Sequence, residues 1–359
     1  MKIAGPVSLY EIIIPAGVAN PKHIYAFGDI HTKETTCSKT TKDITTFITE
    51  TINANTDKVI DLYVEVACKE PWKTDKSYLE DMGRVFSDCY LQLSPGCPFK
   101  NARFHYVDIR QGESESFKQL SMLYTELKQL IHDKRSGKVL LATLHRYEKS
   151  NQQVSTFLQP NKDLLSERLL KKEQLKSNMT DKIISYFRKC IDPSIHKMHE
   201  LKSKLESSAN LNDWNDFTMN LLNILSCYVD IYTLLRIFRS FRTVAGKIST
   251  DPENIILYMG NTHINRIVDF LEKVAGGEIV FENTSDEEDD FQCLDITGIK
   301  LPLFSDVKPV IKVFGSPKKA EVKPGKLIET YSLKTKSPKH SPVKNLMTTI
   351  EMEDDDMYN

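Results

Sequence analysis

Short apolar runs alternate with amphipathic stretches in the first third of the chain. The run 23–27 is uninterrupted, ends at Gly28 and predicts a strand. Apolar residues recur at helical spacing over 41–53, and a second strand-like run occupies 59–66. Strand, helix and strand in close succession favour a parallel pair with a right-handed crossover, because parallel strands need a long connection. The pattern therefore predicts the start of an α/β sheet.

The middle of the chain has a different pattern. A third strand is predicted at 102–110, and most of the chain between 114 and 248 is helical in its periodicity. Pro160 and Pro193 are expected to break these helices, and 138–143 fits a strand or a helix equally well. We interpret about 115–248 as a helical insertion in the α/β core.

Strand-like character returns after the insertion. The run 254–259 predicts another strand, and the apolar positions after it mark an amphipathic helix ended by Gly276 and Gly277. A last strand is expected at 278–282. We therefore expect an α/β fold with a mostly parallel sheet flanked by helices and a large helical insertion.

Composition changes sharply near residue 315. Between 316 and 344 there are eight lysines, two glutamates and three Ser-Pro pairs, and the chain ends with an acidic run that begins at Glu351. Such a segment has too few large apolar residues to bury a core. We predict an α/β domain over 1–315 and a disordered tail over 316–359, and we expect the acidic stretch 285–290 to form an exposed loop.

Overall composition is that of an ordinary globular protein. Of 359 residues, 40% are hydrophobic and 27% charged, which argues against fibrous and wholly disordered proteins. The net charge of -1 supplies no global field for nucleic acid or an anionic membrane, and no apolar run has the length of a membrane span. Seven cysteines are scattered without a C-x-x-C pair. We expect reduced thiols and a cytoplasmic protein.

Polar, chemically capable residues follow four of the predicted strands. In an open parallel sheet, ligands bind outside the carboxyl ends of the strands, because loops and helix N-termini converge there. These residues are therefore expected to meet in one site. The candidates are Asp29 and His31 after the first strand, Glu65 in the second, Asp108 and Arg110 after the third, and His263 after the late strand.

Each candidate also has a structural explanation. Asp29 and His31 are typical of a turn, and Glu65 of an exposed strand end. Asp108 and Arg110 fit a salt bridge, and the stretch before His263 fits a helix cap. Four independent coincidences at one sheet edge are less probable than a single site, so their combination favours a functional interpretation.

Two imidazoles with carboxylates suit a divalent transition metal such as Mn, Co, Fe or Zn. We predict Asp29, His31, Glu65 and His263 as metal ligands, and Glu65, Asp108 and Arg110 as catalytic residues. A bound metal lowers the pKa of its water, which indicates hydrolysis. A metal-free version has His31 or His263 as general base, oriented by Glu65 or Asp108.

Two short motifs carry a family resemblance. Gly28-Asp-Ile-His31 and Gly260-Asn-Thr-His263, with Glu65 between them, resemble the TraB and TIKI family within the erythromycin-esterase and ChaN-like superfamily. The resemblance covers roughly 22–112 and 252–282. It implies an α/β core with paired histidine motifs at its active edge, and metal-dependent hydrolysis, since several members are metal-dependent hydrolases and TIKI proteins act as peptidases. It also implies that His31 and His263 are metal or catalytic residues with Glu65 as their acidic partner.

The chain departs from this family at two places. Asp29 stands where many members have glutamate, and Asn261-Thr262 stands where the family often has a glycine. The calcineurin-like metallophosphoesterases are a second resemblance, through Gly-Asp-Ile-His31 and Gly-Asn-Thr-His263. They require a Gly-Asp-x-x-Asp motif shortly after the first one, which this chain lacks, and we discount them.

The Ser-Pro pairs of the tail are shaped like sites for proline-directed kinases. We expect a kinase or protein partner there, and nucleic acid contact only through the tail lysines. The tail is typical of a protein of a eukaryotic cytosol, either the cell's own protein or that of a large DNA virus that replicates there. We therefore expect a cytoplasmic location, in host cytoplasm or virion if the protein is viral. The alternative function is a catalytically inactive scaffold, for example a virion or host-interaction protein of the same fold.

Overall fold

The structure is a computed structural model of the whole chain. It describes residues 1–16, 21–33, 35–67, 77–89, 97–111, 114–159, 164–207, 210–240, 251–285 and 291–305. The predicted tail at 316–359 and nearly all of the acidic stretch 285–290 lie outside these residues, and so does Pro160.

Strands form two sheets. They are β1 (Lys2–Ala4), β2 (Ser8–Ile14), β3 (Lys22–Asp29), β4 (Lys42–Asp43), β5 (Ile60–Val64), β6 (Ala102–Tyr106), β7 (Asn254–Gly260), β8 (Glu278–Thr284) and β9 (Cys293–Asp295). The larger sheet has the order β6-β5-β7-β3-β2-β8, and the smaller has the order β4-β1-β9. The pairs β6–β5, β5–β7 and β7–β3 are parallel, whereas β2 pairs antiparallel with β3 and β8.

Helices cover both faces of the larger sheet. They are α1 (Ile44–Ala54), α2 (Tyr78–Phe86), α3 (Glu115–His132), α4 (Gly137–Ser150), α5 (Gln152–Phe157), α6 (Arg168–Gln174), α7 (Thr180–Ser207), α8 (Leu211–Ile237) and α9 (Asn261–Lys273). The fold is therefore α/β with a mostly parallel sheet flanked by helices, as the sequence predicts. Helices α3 to α8 form the large helical insertion, between β6 and β7.

Two apolar clusters lie on opposite faces of the sheet. Side chains alternate between the faces along each strand. In β5, Tyr63 packs with α3 to α9, whereas Leu62 and Val64 pack with α1, α2 and the smaller sheet. Every residue of β5 and β7 is buried, as expected for central strands of a parallel sheet.

The helical insertion corrects one prediction and settles an open one. Pro193 does not break a helix: α7 continues through it. Proline removes one backbone hydrogen bond, but Phe187 and Met198 on either side are buried in the core with α8, and this packing maintains the helix. The ambiguous stretch 138–143 is helical, as part of α4.

Strand β2 is absent from the sequence prediction although it is seven residues long. Its sequence, Ser-Leu-Tyr-Glu-Ile-Ile-Ile, has the β-branched and aromatic residues typical of strands. Strands β1 and β9 have three residues each, too few for a periodic signal. The sequence therefore misses β2 and all three strands of the smaller sheet, whereas β8, the other antiparallel strand of the larger sheet, is predicted.

Six of the seven cysteines form disulfides in this structure, where the sequence predicts free thiols. The pairs are Cys37–Cys293, Cys89–Cys97 and Cys190–Cys227. Two pairs join residues 256 and 37 positions apart, so only the fold brings them together. The seventh, Cys68, lies outside the described residues.

Among the described residues, no helix combines the length and the apolar character that crossing a bilayer requires.

Candidate functional site at the carboxyl edge of the sheet

The parallel strands deliver the predicted residues to one edge of the sheet. Asp29 is the last residue of β3 and lies in register with Gly260, the last of β7. Glu65 directly follows β5, and Arg110 lies in the short 3-10 turn that follows β6. Since the strand order is β6-β5-β7-β3, these residues line up across the carboxyl edge as the sequence predicts.

The glycines of both Gly-x-x-His motifs stand where a side chain would collide. A Cβ atom on Gly260 would lie 2.5 Å from His31 Nε2 and 3.1 Å from Glu65 Oε2. A Cβ atom on Gly28 would lie 2.3 Å from both Asn261 Oδ1 and Ser8 Oγ. The two motifs thus need glycine because the strand ends and the polar groups approach each other closely.

Glu65 is the centre of the site. Its side chain is only 1% exposed, and both of its carboxylate oxygens have partners. Oε1 accepts from Arg110 Nη2 at 2.5 Å and lies 3.2 Å from His263 Nε2. Oε2 accepts from the backbone N–H of Gly260 at 2.7 Å and lies 3.6 Å from His31 Nε2. A buried carboxylate thus joins two imidazoles and a guanidinium from three other segments.

These partners hold Glu65 in its ionised form. Burial raises the pKa of Glu65, but the charges of His263, Arg110 and His31 and the hydrogen bond with His263 lower it well below its usual range. A buried carboxylate is costly unless it is paired, and this one is paired with cations. Glu65 is therefore a fixed negative charge at neutral pH.

His263 is held between two carboxylates. Its Nδ1 lies 2.5 Å from Asp230 Oδ1, and its Nε2 faces Glu65. Burial lowers the pKa of His263, but the two carboxylates outweigh burial and raise the pKa to about 9. Both ring nitrogens then carry hydrogens, and each donates to a carboxylate.

The sequence prediction misses Asp230 and Arg266. Asp230 lies in α8 with a side chain that is 0% exposed, and its Oδ2 accepts from Arg266 Nε at 2.5 Å. The helical insertion therefore contributes directly to the site. A signal was present, because Asp230 stands alone in the otherwise uncharged stretch 217–235, where an unpaired carboxylate would be expensive.

His31 is the exposed member of the cluster, with 51% of its side chain accessible. Its φ of 61° lies in the left-handed region, which non-glycine residues rarely adopt. Asp29 Oδ2 accepts the backbone N–H of His31 at 3.0 Å and helps to hold this conformation. His31 combines exposure with a fixed backbone, as expected for a group that meets a ligand.

Asp29 supports His31 from the other face of the sheet. Its Oδ1 accepts from the hydroxyl of Tyr258 at 3.1 Å and from Gln292 Nε2 at 3.2 Å. Tyr258 belongs to the apolar cluster on the α1 and α2 side, opposite to Tyr63 and Glu65. Burial raises the pKa of Asp29 to about 6, against the influence of His31 and of its hydrogen bonds.

Asp108 orients Arg110. Its carboxylate accepts from the backbone N–H of Arg110 at 3.0 Å and from Nε at 2.8 Å, and its Oδ2 accepts from Nη2 at 3.1 Å. The guanidinium is thereby fixed as it reaches Glu65, with 19% of its side chain exposed. The predicted salt bridge between Asp108 and Arg110 is present and forms part of the site.

A second buried polar cluster lies deeper on the face of Glu65. His105 Nε2 lies 2.7 Å from Asp61 Oδ1, and His105 Nδ1 lies 3.0 Å from Arg236 Nη2. Burial, the largest influence, lowers the pKa of His105 to about 4, so the ring stays neutral, donates to Asp61 and accepts from Arg236. The cluster joins β5 and β6 to α8 and positions the insertion that carries Asp230.

The donor set does not fit a metal ion as it is arranged. Distances of 3.2 and 3.6 Å from Glu65 to the two imidazoles are compatible with a shared ion, given bonds of about 2 Å. However, both oxygens of Glu65 already accept hydrogen bonds from Arg110 and the Gly260 N–H, and ligation through His263 Nε2 requires release of the proton that faces Glu65. Within the described part of the chain, no three or more His, Cys, Asp or Glu side chains are grouped to hold a metal.

Comparison of the chain with protein-family models, with curated proteins and with solved structures finds no match. The resemblance of the two Gly-x-x-His motifs to the TraB and TIKI family therefore remains a prediction based on short motifs. The site has to be interpreted from its own geometry.

Proposed function

We propose that the protein is a hydrolase that cleaves an ester or amide at the carboxyl edge of the sheet. The observation that carries this proposal is the exposed imidazole of His31 beside the buried, ionised carboxylate of Glu65. Histidine is the side chain most often used for proton transfer in catalysis. The convergence of both Gly-x-x-His motifs on Glu65 supports the resemblance to TraB-type hydrolases.

In this proposal, His31 removes a proton from the attacking water. Glu65 stabilises the imidazolium that forms, since Oε2 lies 3.6 Å from His31 Nε2. Arg110, fixed by Asp108, provides positive charge for the oxyanion that develops on the substrate carbonyl. Protonated His263 and Asp230 keep Glu65 in place and help to hold its charge.

The metal-dependent form predicted from the sequence is the second version of this hydrolase. The spacing of His31, Glu65 and His263 supports it, and it requires His263 to release the proton that faces Glu65. The two versions differ in whether a divalent metal such as Mn, Co, Fe or Zn is retained and required.

A cytoplasmic location, in host cytoplasm or virion if the protein is viral, belongs to the proposal, as does a kinase or protein partner at the tail. Disulfides in cytosolic proteins are usually transient and redox-sensing rather than structural. In a cytoplasmic protein, the disulfides of this structure would therefore have a regulatory role.

The test is a hydrolysis assay of the full chain on panels of aryl esters, peptides and phosphoesters. Each panel is run after dialysis against a chelator and again with added Mn²⁺ or Zn²⁺, and the purified protein is analysed for bound metal. We expect turnover of esters or amides without added metal.

Activity that appears only with metal would replace the metal-free version by the metal-dependent one. A folded protein without turnover on all three panels, and without retained metal, would refute hydrolysis. That result would favour a catalytically inactive scaffold of the same fold.

A further inference from the structure

The loop that carries His31 is tied covalently to a distant part of the chain. Cys37 lies in the connection between β3 and β4 and forms a disulfide with Cys293, the first residue of β9. Their Cα atoms are 5.1 Å apart although 256 positions separate them. The disulfide therefore ties the part of this connection that precedes β4 to β9.

Hydrogen bonds from the residues before Cys293 hold the same loop. Gln292 is fully buried, and its Nε2 donates to Asp29 Oδ1 at 3.2 Å and to Thr32 O at 3.0 Å. Gln292 thus contacts the residues on both sides of the segment that contains His31. The backbone carbonyl of Gln292 accepts from Thr35 Oγ1 at 2.9 Å.

Both sides of this contact have unusual backbone conformations. His31 and Gln292 have φ values of 61° and 48°, in the left-handed region that costs energy for residues other than glycine. Such conformations persist when surrounding contacts enforce them. Among the contacts that surround His31 and Gln292, the Cys37–Cys293 disulfide is covalent.

We propose that the Cys37–Cys293 disulfide is a redox latch that fixes His31 beside Glu65 when it is oxidised and releases the His31 loop when it is reduced. The latch regulates the proposed hydrolase site, so its effect on turnover rests on the proposed function. Its effect on the order of the loop does not.

A dithiol reductant of the thioredoxin type opens the latch by exchange. Cys37 is partly exposed whereas Cys293 is buried, so the attacking thiolate reaches the sulfur of Cys37 and Cys293 leaves as a thiolate. The second thiol of the reductant then attacks the mixed disulfide and releases Cys37. Two electrons and two protons pass to the protein, and the reductant becomes a disulfide.

Reduction leaves the loop with non-covalent contacts, which are the hydrogen bonds of Gln292 and the ion pair of Lys33 with Asp81 at 2.6 Å. The Gln292 bridge then has to hold two left-handed residues without a covalent tie, and the described residues 32–33 and 35–37 gain conformational freedom. His31 loses its fixed distance to Glu65, and misplacement of a catalytic group by about 1 Å costs up to about a hundredfold in rate.

The experiment measures amide hydrogen exchange of peptides that cover 30–37, with and without dithiothreitol, in the full chain. We expect exchange about tenfold faster in the reduced protein, because local opening becomes easier. The Cys37→Ser/Cys293→Ser double variant should exchange rapidly in both conditions. The matched control, Cys190→Ser/Cys227→Ser, removes a disulfide between α7 and α8 and should respond to dithiothreitol as the wild type does.

The outcomes separate the latch from the hydrolase. Exchange at 30–37 that is unchanged by dithiothreitol and by the double variant would refute the latch. Faster exchange together with a fall of turnover supports both proposals. Faster exchange in a protein that hydrolyses nothing in either state would support the latch and refute the hydrolase. If the double variant fails to fold, wild-type protein reduced and alkylated with iodoacetamide replaces it.

Discussion

His263 is the residue whose protonation most directly links the site to stability. Its pKa is raised from 6.5 to about 9 in the folded protein, because Asp230 and Glu65 outweigh the effect of burial. The folded state therefore binds a proton that the unfolded state releases above about pH 6.5. This contribution to stability is complete below about pH 6.5 and is lost as the pH rises through 9.

Replacing Asp230 by Asn should remove much of this dependence. We expect the free energy of unfolding of Asp230→Asn to fall less between pH 6.5 and 9 than that of the wild type, by roughly 1–3 kcal/mol. The measurement is urea denaturation at several pH values. The control is Asp192→Asn, an exposed carboxylate on α7. Parallel pH curves for wild type and Asp230→Asn would contradict the position of His263 between two carboxylates.

Lys22 changes the pH dependence of stability in the opposite direction to His263. It is buried at the start of β3, and burial lowers its pKa from 10.5 to about 8. The unfolded state then binds more protons between pH 8 and 10.5, so this residue makes stability rise with pH in that window. Its ammonium donates to the carbonyl of Pro252 at 2.5 Å, which offsets part of the cost of burial.

Lys22→Met should therefore remove the rise in stability between pH 8 and 10.5. At pH 7 we expect the variant to be more stable by about 1–2 kcal/mol, because a buried charge is replaced by an apolar side chain. Urea denaturation at pH 7 and pH 10 measures both effects, with exposed Lys182→Met as the control. A variant that is less stable at pH 7 and still gains stability with pH would show that Lys22 is not the buried cation.

At the scale of elements, the strands that carry the site residues could be predicted from the sequence, whereas the helix that packs against them at the site could not. Runs such as 23–27 and 254–259 end at glycines followed by polar residues, so the sequence marks both the strand and its carboxyl end. These local signals are sufficient for His31, Glu65, Arg110 and His263. Asp230 comes from α8, whose sequence shows a helix but not which strand it packs against.

Strand β2 and the disulfides show where local signals in the sequence fail. Strand β2 is antiparallel to β3 and has no crossover helix, so the alternation of strand and helix that reveals the parallel strands does not mark it. The disulfides are equally invisible, because Cys37 and Cys293 become neighbours only after the whole sheet has formed.

Helix α7 offers a test of packing against local propensity. Pro193 is exposed and stands inside the helix, where it removes the hydrogen bond to the carbonyl four residues before it. Pro193→Ala restores that bond without loss of buried surface. We expect an increase in the free energy of unfolding of about 1–3 kcal/mol, measured by urea denaturation. Asp192→Ala, also exposed on α7, is the control, and a less stable Pro193→Ala would contradict a continuous helix.

At the scale of the molecule, the site joins the two parts of the chain that the sequence separates. Glu65, His31 and Arg110 follow the parallel strands. The helical insertion supplies Asp230, which contacts Glu65 indirectly because both carboxylates bind His263. The buried cluster of Asp61, His105 and Arg236 fixes the insertion against the sheet. The carboxyl edge of the sheet is thus the place where both parts of the fold determine the chemistry.

The most direct test of this account is the turnover of the His31→Asn variant. Asparagine tolerates a positive φ and the position is half exposed, so the fold should be retained, which circular dichroism checks. On an ester or amide that the wild type hydrolyses, we expect kcat to fall by about a hundredfold or more, as for loss of a general base. Wild-type turnover in folded His31→Asn would contradict the assignment of catalysis to this cluster.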